Sequence, residues 1–112
     1  MKYSLLHEEV ETLLKKRVRF RTRFFLFKTQ KNKCGICRVA FVFSRKRGNA
    51  VLRNRFKRRI RELIRRQDFK DTGLDFLCIP SGSLQKITQE SWRIEREQIG
   101  KNIKCLFESS SL

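Results

Sequence analysis

Histidine, proline and tryptophan each occur once in this 112-residue chain, and acidic residues are scarce, 11 Asp plus Glu against 28 Lys plus Arg. These scarcities exclude several functions. A metal-dependent hydrolase gathers carboxylates or histidines around its ion, and acid–base catalysis needs a histidine or a tuned carboxylate. Here His7 stands alone, and Glu8, Glu9 and Glu11 are explained by the start of a helix. No catalytic residue, metal ligand set or protein-bound cofactor is therefore expected. No apolar run approaches the roughly 18 residues of a membrane span, and Met1 to His7 lacks a signal peptide's apolar centre. The expectation is a cytoplasmic protein with no membrane partner, in which Cys34, Cys37, Cys78 and Cys105 are thiols. Cys34-Gly35-Ile36-Cys37 has the spacing of half a zinc site or a thioredoxin-like redox pair, but no second pair follows and the motif sits in a turn rather than at a helix start, and Cys78 and Cys105 read as small apolar residues.

What is present is positive charge and phenylalanine. The formal charge is +17 with a pI near 10.8, yet 39% of residues are hydrophobic and ten are Phe. A disordered basic tail would lack that apolar content, so the chain has a core. At this length residues 1–112 form one domain, burying on the order of two-thirds of the unfolded surface. The charge is spread along the whole sequence, which points to a polyanionic partner, and the commonest is nucleic acid.

The densest segment is Arg53 to Arg66, with eight Lys or Arg and one Glu. Leu52, Phe56, Ile60, Leu63 and Ile64 recur within it at helical spacing, which predicts a docked helix with a cationic outer face. Arg53 and Lys57, Arg55 and Arg59, Lys57 and Arg61, and Arg61 and Arg65 are like-charged pairs four apart, each costing roughly 0.2–0.5 kcal/mol in an isolated helix. A bound polyanion would relieve that repulsion; an ordinary solvated helix face seldom carries so one-sided a charge. Asn49 is the expected N-cap, and the helix start is itself a favourable place for phosphate. Asn54, between Arg53 and Arg55, can hydrogen-bond a base edge or a ribose hydroxyl.

Around this helix the pattern reads as a first helix from about Ser4 to Lys16, capped by Ser4, with Leu6, Val10, Leu13 and Leu14 on one face. A basic run, Lys15 to Arg23, forms a loop or edge strand. Phe24 to Thr29 and Ile36 to Phe43 are two strands expected to pair as an antiparallel hairpin, the second of them central. Gln67 to Gly73 is a polar connection, Leu74 to Ile79 a short buried strand ended by Pro80, and Thr88 to Phe107 a last helix in which Gly100 is expected at a close approach. The terminal Glu108 to Leu112 is expected to fray. The result is an α+β fold, a small central sheet of about four strands covered by three helices in the order α-β-β-β-α-β-α. Phe20, Phe24, Phe25 and Phe27 divide between building the core and stacking on unpaired bases.

The block from Arg38 to Glu62, including Phe43-Ser44-Arg45-Lys46, Gly48-Asn49-Ala50-Val51 and Arg53-Asn54-Arg55, closely resembles the signature region of the bacterial ribonuclease P protein subunit. The resemblance covers nearly the whole domain, strongly from Arg38 to Arg66. It implies a subunit of an RNA-based endoribonuclease that removes the 5′ leader of precursor tRNA, with catalysis in a partner RNA that uses Mg2+. Carried over, Arg45, Lys46, Arg53, Asn54, Arg55, Lys57, Arg58 and Arg61 would face the catalytic RNA. Val10, Leu14, Phe27 and Arg38 would line a leader-binding cleft between the first helix and the sheet. The resemblance also implies a left-handed β-α-β crossover around the arginine-rich helix, against the usual right-handed rule. The chain departs from the family where only Lys2 precedes the first helix, where Val10 and Leu14 replace aromatics, where Ala40 replaces a glycine, and where Phe56 replaces an aliphatic residue. The alternative is a ribosomal or general RNA-binding protein with no catalytic partner. A DNA-binding helix-turn-helix is disfavoured, because a strand rather than a short helix precedes the arginine-rich segment.

Overall fold

In the computed structural model, which describes residues 5–66 and 73–110, the chain runs α1 (His7–Leu14), β1 (Phe20–Arg21), β2 (Phe25–Lys31), β3 (Arg38–Phe41), α2 (Ala50–Arg66), β4 (Leu74–Pro80) and α3 (Gln89–Ser110). Single 3-10 turns lie at Arg45–Arg47 and Leu84–Lys86. This is the expected α+β order. Ser4 and residues 67–72 lie outside the described residues. Leu6 occupies the cap position of α1, and its N–H donates to Glu9 Oε1 at 2.9 Å. The last helix continues through Ser110, past the expected end at Phe107. At its start Thr88 and Ser91 form a reciprocal cap, Ser91 N–H donating to Thr88 Oγ1 at 3.0 Å and Thr88 N–H to Ser91 Oγ at 2.8 Å.

The strand pairing differs from expectation. The sheet order is β1-β2-β4-β3: β4 lies between β2, to which it is antiparallel, and β3, to which it is parallel. The hairpin between β2 and β3 does not form, and β3 is an edge strand rather than a central one. The reason is complementarity of length and burial. All seven residues of β2 pair with all seven of β4, from Phe25 opposite Pro80 to Lys31 opposite Leu74, and β4 is buried at every position but Ile79. Four-residue β3 could not match that. The loop after β2 is instead closed by Asn32, whose amide donates to Ile36 O and to Asp75 Oδ1 and whose Oδ1 accepts from Cys34 N–H. A Cβ on Gly73 would lie 2.0 Å from Asn32 Oδ1, so that approach requires glycine. Gly100, by contrast, has open space where a Cβ would stand, so it serves no close packing.

Side-chain alternation assigns the two faces of the sheet. One carries Phe25, Phe27, Val39, Phe76 and Cys78 into the main core with Phe56, Ile60, Leu63 and Ile64 of α2 and Trp92, Ile99 and Ile103 of α3. Each of these large side chains contributes about 1.5–3 kcal/mol by leaving water. Glu95 of α3 is buried beside that core and accepts from Phe24 N–H at 3.1 Å and from the Thr22 hydroxyl. The opposite face carries Leu26, Lys28, Gln30, Asp75, Leu77, Ile79, Arg38 and Ala40, which the register brings side by side. α1 packs over this face, on β2 and β4, with Leu13 and Leu77 fully buried there.

Candidate nucleic-acid interface

The arginine-rich helix starts where its sequence says it should. Asn49 Oδ1 accepts from Leu52 N–H at 2.9 Å. Arg53 folds back, donating from Nε to Gly48 O at 3.2 Å and from Nη1 to Phe43 O at 3.5 Å. This half-buried arginine fixes the turn that carries Arg45 and Lys46, both exposed. Phe56, Ile60, Leu63 and Ile64 face the core, which leaves Asn54, Arg55, Arg58 and Arg61 on the exposed side. Arg61 lies over the Phe41 ring at 5.1 Å, so its guanidinium is positioned rather than free to wander. Lys57 is half-buried on the same flank as Arg53. Of the eight residues expected to face RNA, six are thus exposed, four of them on one side of α2, and Arg53 and Lys57 are half-buried. Val51, 69% exposed one turn before Asn54 and Arg55, is an apolar member of this surface that the charge pattern did not mark.

The cleft under α1 is built differently from the expectation. Phe27 is fully buried and stacks on Phe20 with ring centroids 4.6 Å apart, so it cannot meet an unpaired base. The correction follows from strand alternation: Phe27 pairs with Cys78 on the core face, and its neighbours Leu26 and Lys28 lie on the face that α1 covers. Phe20 and Phe24 pack at the rim of the core and Phe25 lies within it. On the helix wall Val10 is half-buried and Leu14 is 42% exposed. Lys28 Nζ donates to Leu14 O at 2.5 Å, pinning the end of α1 to the sheet.

Arg38 holds the other end. Its Nε and Nη2 donate to Asp75 at 2.9 Å each, while Nη1 and Nη2 donate to Glu9 at 3.2 and 2.6 Å. Asp75, 1% exposed, also accepts from Asn32 and Gln30. The guanidinium is held charged well above its ordinary range, chiefly by its hydrogen bonds to Asp75, against desolvation and with further help from Glu9. The Glu9 carboxyl is held below its usual range by the Leu6 N–H and then by Arg38. Arg38 therefore lies on the sheet face beneath α1 with its donors turned to carboxylates. Cys37 beside it has its thiol pushed up to about 11, first by burial.

The sequence profile of the Ribonuclease P family matches residues 4–104. A ribonuclease P protein component from Bacillus mycoides is 39% identical over 69 residues, 61% of this chain and 60% of that one. One from Petrotoga mobilis is 48% identical over 50 residues, 44% of this chain and 42% of that one. The chain thus aligns with less than two thirds of the length of these curated relatives. In three dimensions it superimposes on the Staphylococcus aureus RNase P protein with a TM-score of 0.65 at 25% identity, covering 98% of this chain and 96% of the other. The Thermotoga maritima RNase P protein gives a TM-score of 0.64 at 25% identity over 94% of each chain.

Proposed function

The chain belongs to the ribonuclease P protein family, and from that premise we propose that it binds a catalytic RNA and the 5′ leader of precursor tRNA, assisting endonucleolytic removal of the leader. The observation that carries this reading is the outer face of α2, where Asn54, Arg55, Arg58 and Arg61 are exposed beside Arg45 and Lys46 while the fold fixes the helix beneath them. Guanidiniums on a rigid, capped helix meet RNA phosphates with little further loss of freedom. The leader occupies the groove between α1 and the sheet, against Val10, Leu14, Leu26 and Lys28. That groove favours apolar contact with ribose and base edges, plus one cation, rather than aromatic stacking.

Hydrolysis belongs to the RNA partner, which supplies the Mg2+ site. The buried carboxylates among the described residues are otherwise engaged: Asp75 accepts from Arg38, Asn32 and Gln30, and Glu95 from Thr22 and Phe24. Neither is offered to a metal or to proton transfer. The test is to isolate the RNA that co-purifies with the tagged protein from its own cells, and to assay precursor tRNA cleavage by protein alone, RNA alone and both at physiological Mg2+. Cleavage only when that RNA is present, enhanced by the protein, is expected. Leader release by RNA-free protein would overturn the assignment, and co-purified ribosomal RNA without cleavage would favour the general RNA-binding alternative.

A further inference from the structure

α2 and α3 pack with two helical stripes facing each other across a cleft of about 400 Å³. One wall is Arg59, Glu62, Leu63 and Arg66, the other Gln89, Trp92, Arg93 and Arg96. The spacings of three, four and seven residues put each set on one side of its helix. Four arginines converge on this concavity against one carboxylate, and among the described residues none of the four makes an ion pair. Arg59 is held in place, its guanidinium 5.4 Å over the Phe56 ring and 5.5 Å over Trp92. Burial, and then Arg55 and Arg58, disfavour its charge, so an anion in the cleft would relieve it. Arg38 elsewhere in the fold shows what a structural arginine looks like here, with two carboxylates on one guanidinium. Among the described residues the groove arginines have no such partners.

We infer that the α2–α3 groove grips the phosphodiester backbone of a second RNA segment, separate from the segment on the outer face of α2. The inference rests on the RNA-binding function proposed above. Arginine forks match phosphate oxygens in pairs. Trp92 is 8% exposed, at the floor, so no base can stack on it and recognition there is of backbone rather than sequence. An acidic protein segment would also meet the charge, but the lining offers it little exposed apolar surface beyond Leu63 and Trp92, both buried. The site faces away from the Arg53 and Lys57 flank, so the protein would span two RNA elements with α2 as the ridge between them.

Trp92 is the only tryptophan in the chain, so its emission reports the groove directly. The probes are the ribonuclease P RNA transcribed from the protein's own genome and, separately, inorganic phosphate at constant ionic strength. RNA is expected to shift Trp92 emission in parallel with binding measured by filter retention. The variant R93A/R96A, on exposed helical positions where alanine is the better helix former, should bind about tenfold more weakly and with a salt slope lower by roughly two. R55A/R58A should also bind more weakly, yet show the full Trp92 shift at saturation. Unchanged emission at saturating RNA would overturn the inference, as would wild-type affinity and slope in R93A/R96A. A shift with phosphate that RNA neither reproduces nor competes away would mark a small-anion site and equally overturn it. Loss of affinity in R93A/R96A but not in R55A/R58A would leave the groove standing and remove the outer face of α2 from the proposed function. RNA that fails to bind the wild type would overturn both.

Discussion

Removing the Arg38 side chain separates its structural use from a contact with the leader. Arg38→Ala takes two hydrogen bonds from Asp75, a carboxylate 1% exposed, and two from Glu9, whose side chain is 28% exposed. Breaking one side of a buried ion pair costs roughly 3–5 kcal/mol. Asp75 keeps Asn32 at 2.7 Å and Gln30 at 3.3 Å, which puts the expected loss at the lower end, about 3 kcal/mol. For a domain of this size each kcal/mol moves the midpoint by about 4–8 °C, so Tm should fall by roughly 12–24 °C. Arg38→Lys should recover little of that, since one ammonium cannot bridge two carboxylates in a fork. The assay is thermal unfolding by circular dichroism, paired with the reconstituted enzyme's preference for precursor over mature tRNA well below the variant's midpoint. A Tm within about 1 °C of wild type, together with a lost preference, would refute the structural account and put the guanidinium on the leader.

Phe27→Leu should lower stability by about 1–2 kcal/mol for lost aromatic volume in the core, and Tm with it, while leaving the preference for precursor intact. Leu26→Ser, on the other face of the same strand, should weaken that preference with a smaller loss of stability, and the reverse pattern would show that the faces are misassigned. Glu9→Gln should flatten the acid limb of stability. The Glu9 carboxyl is held below its ordinary value of 4.5 in the fold, so its contribution is present above that value and lost as pH falls through the lowered one. Urea unfolding as a function of pH should therefore be less steep below about pH 4.5 in the variant than in the wild type; identical slopes would show that Glu9 is not linked to folding.

The helix that carries most of the candidate interface was legible because its information is local. The apolar spacing from Leu52 to Ile64 and the cap at Asn49 need no knowledge of the rest of the chain, and both are realised. Strand partners are not local. Nothing within Ile36 to Phe43 reveals that β4 will displace β2 as its neighbour, because the competitor lies more than thirty residues away. The wrong partner carried no penalty for the α+β class, but a wrong face did matter for Phe27. There the signal existed: alternation through Phe25, Leu26, Phe27 and Lys28 sends both phenylalanines to the side away from the lysine. A second signal was Asp75 inside an otherwise apolar strand, which demands a partner of opposite charge; Arg38 was at hand. The groove between α2 and α3 was half legible, its arginine spacings visible on each helix and their meeting visible only in the fold.

The placement of α1 links these observations. Eight residues make a helix of about 12 Å, too short to be stable alone in water. Only Leu13 among its side chains is fully buried, so burial alone fixes it weakly. Its position over the sheet depends on polar ties at both ends, Glu9 to Arg38 and Leu14 O to Lys28. Those ties set where Val10 and Leu14 stand over the sheet. A lesion at Arg38 would therefore alter the proposed leader binding without that residue touching the leader, by letting the helix wall move. Such an effect should be rescued by restoring the tie in another way, whereas loss of a direct contact should not, and that difference separates a wall from a binding group.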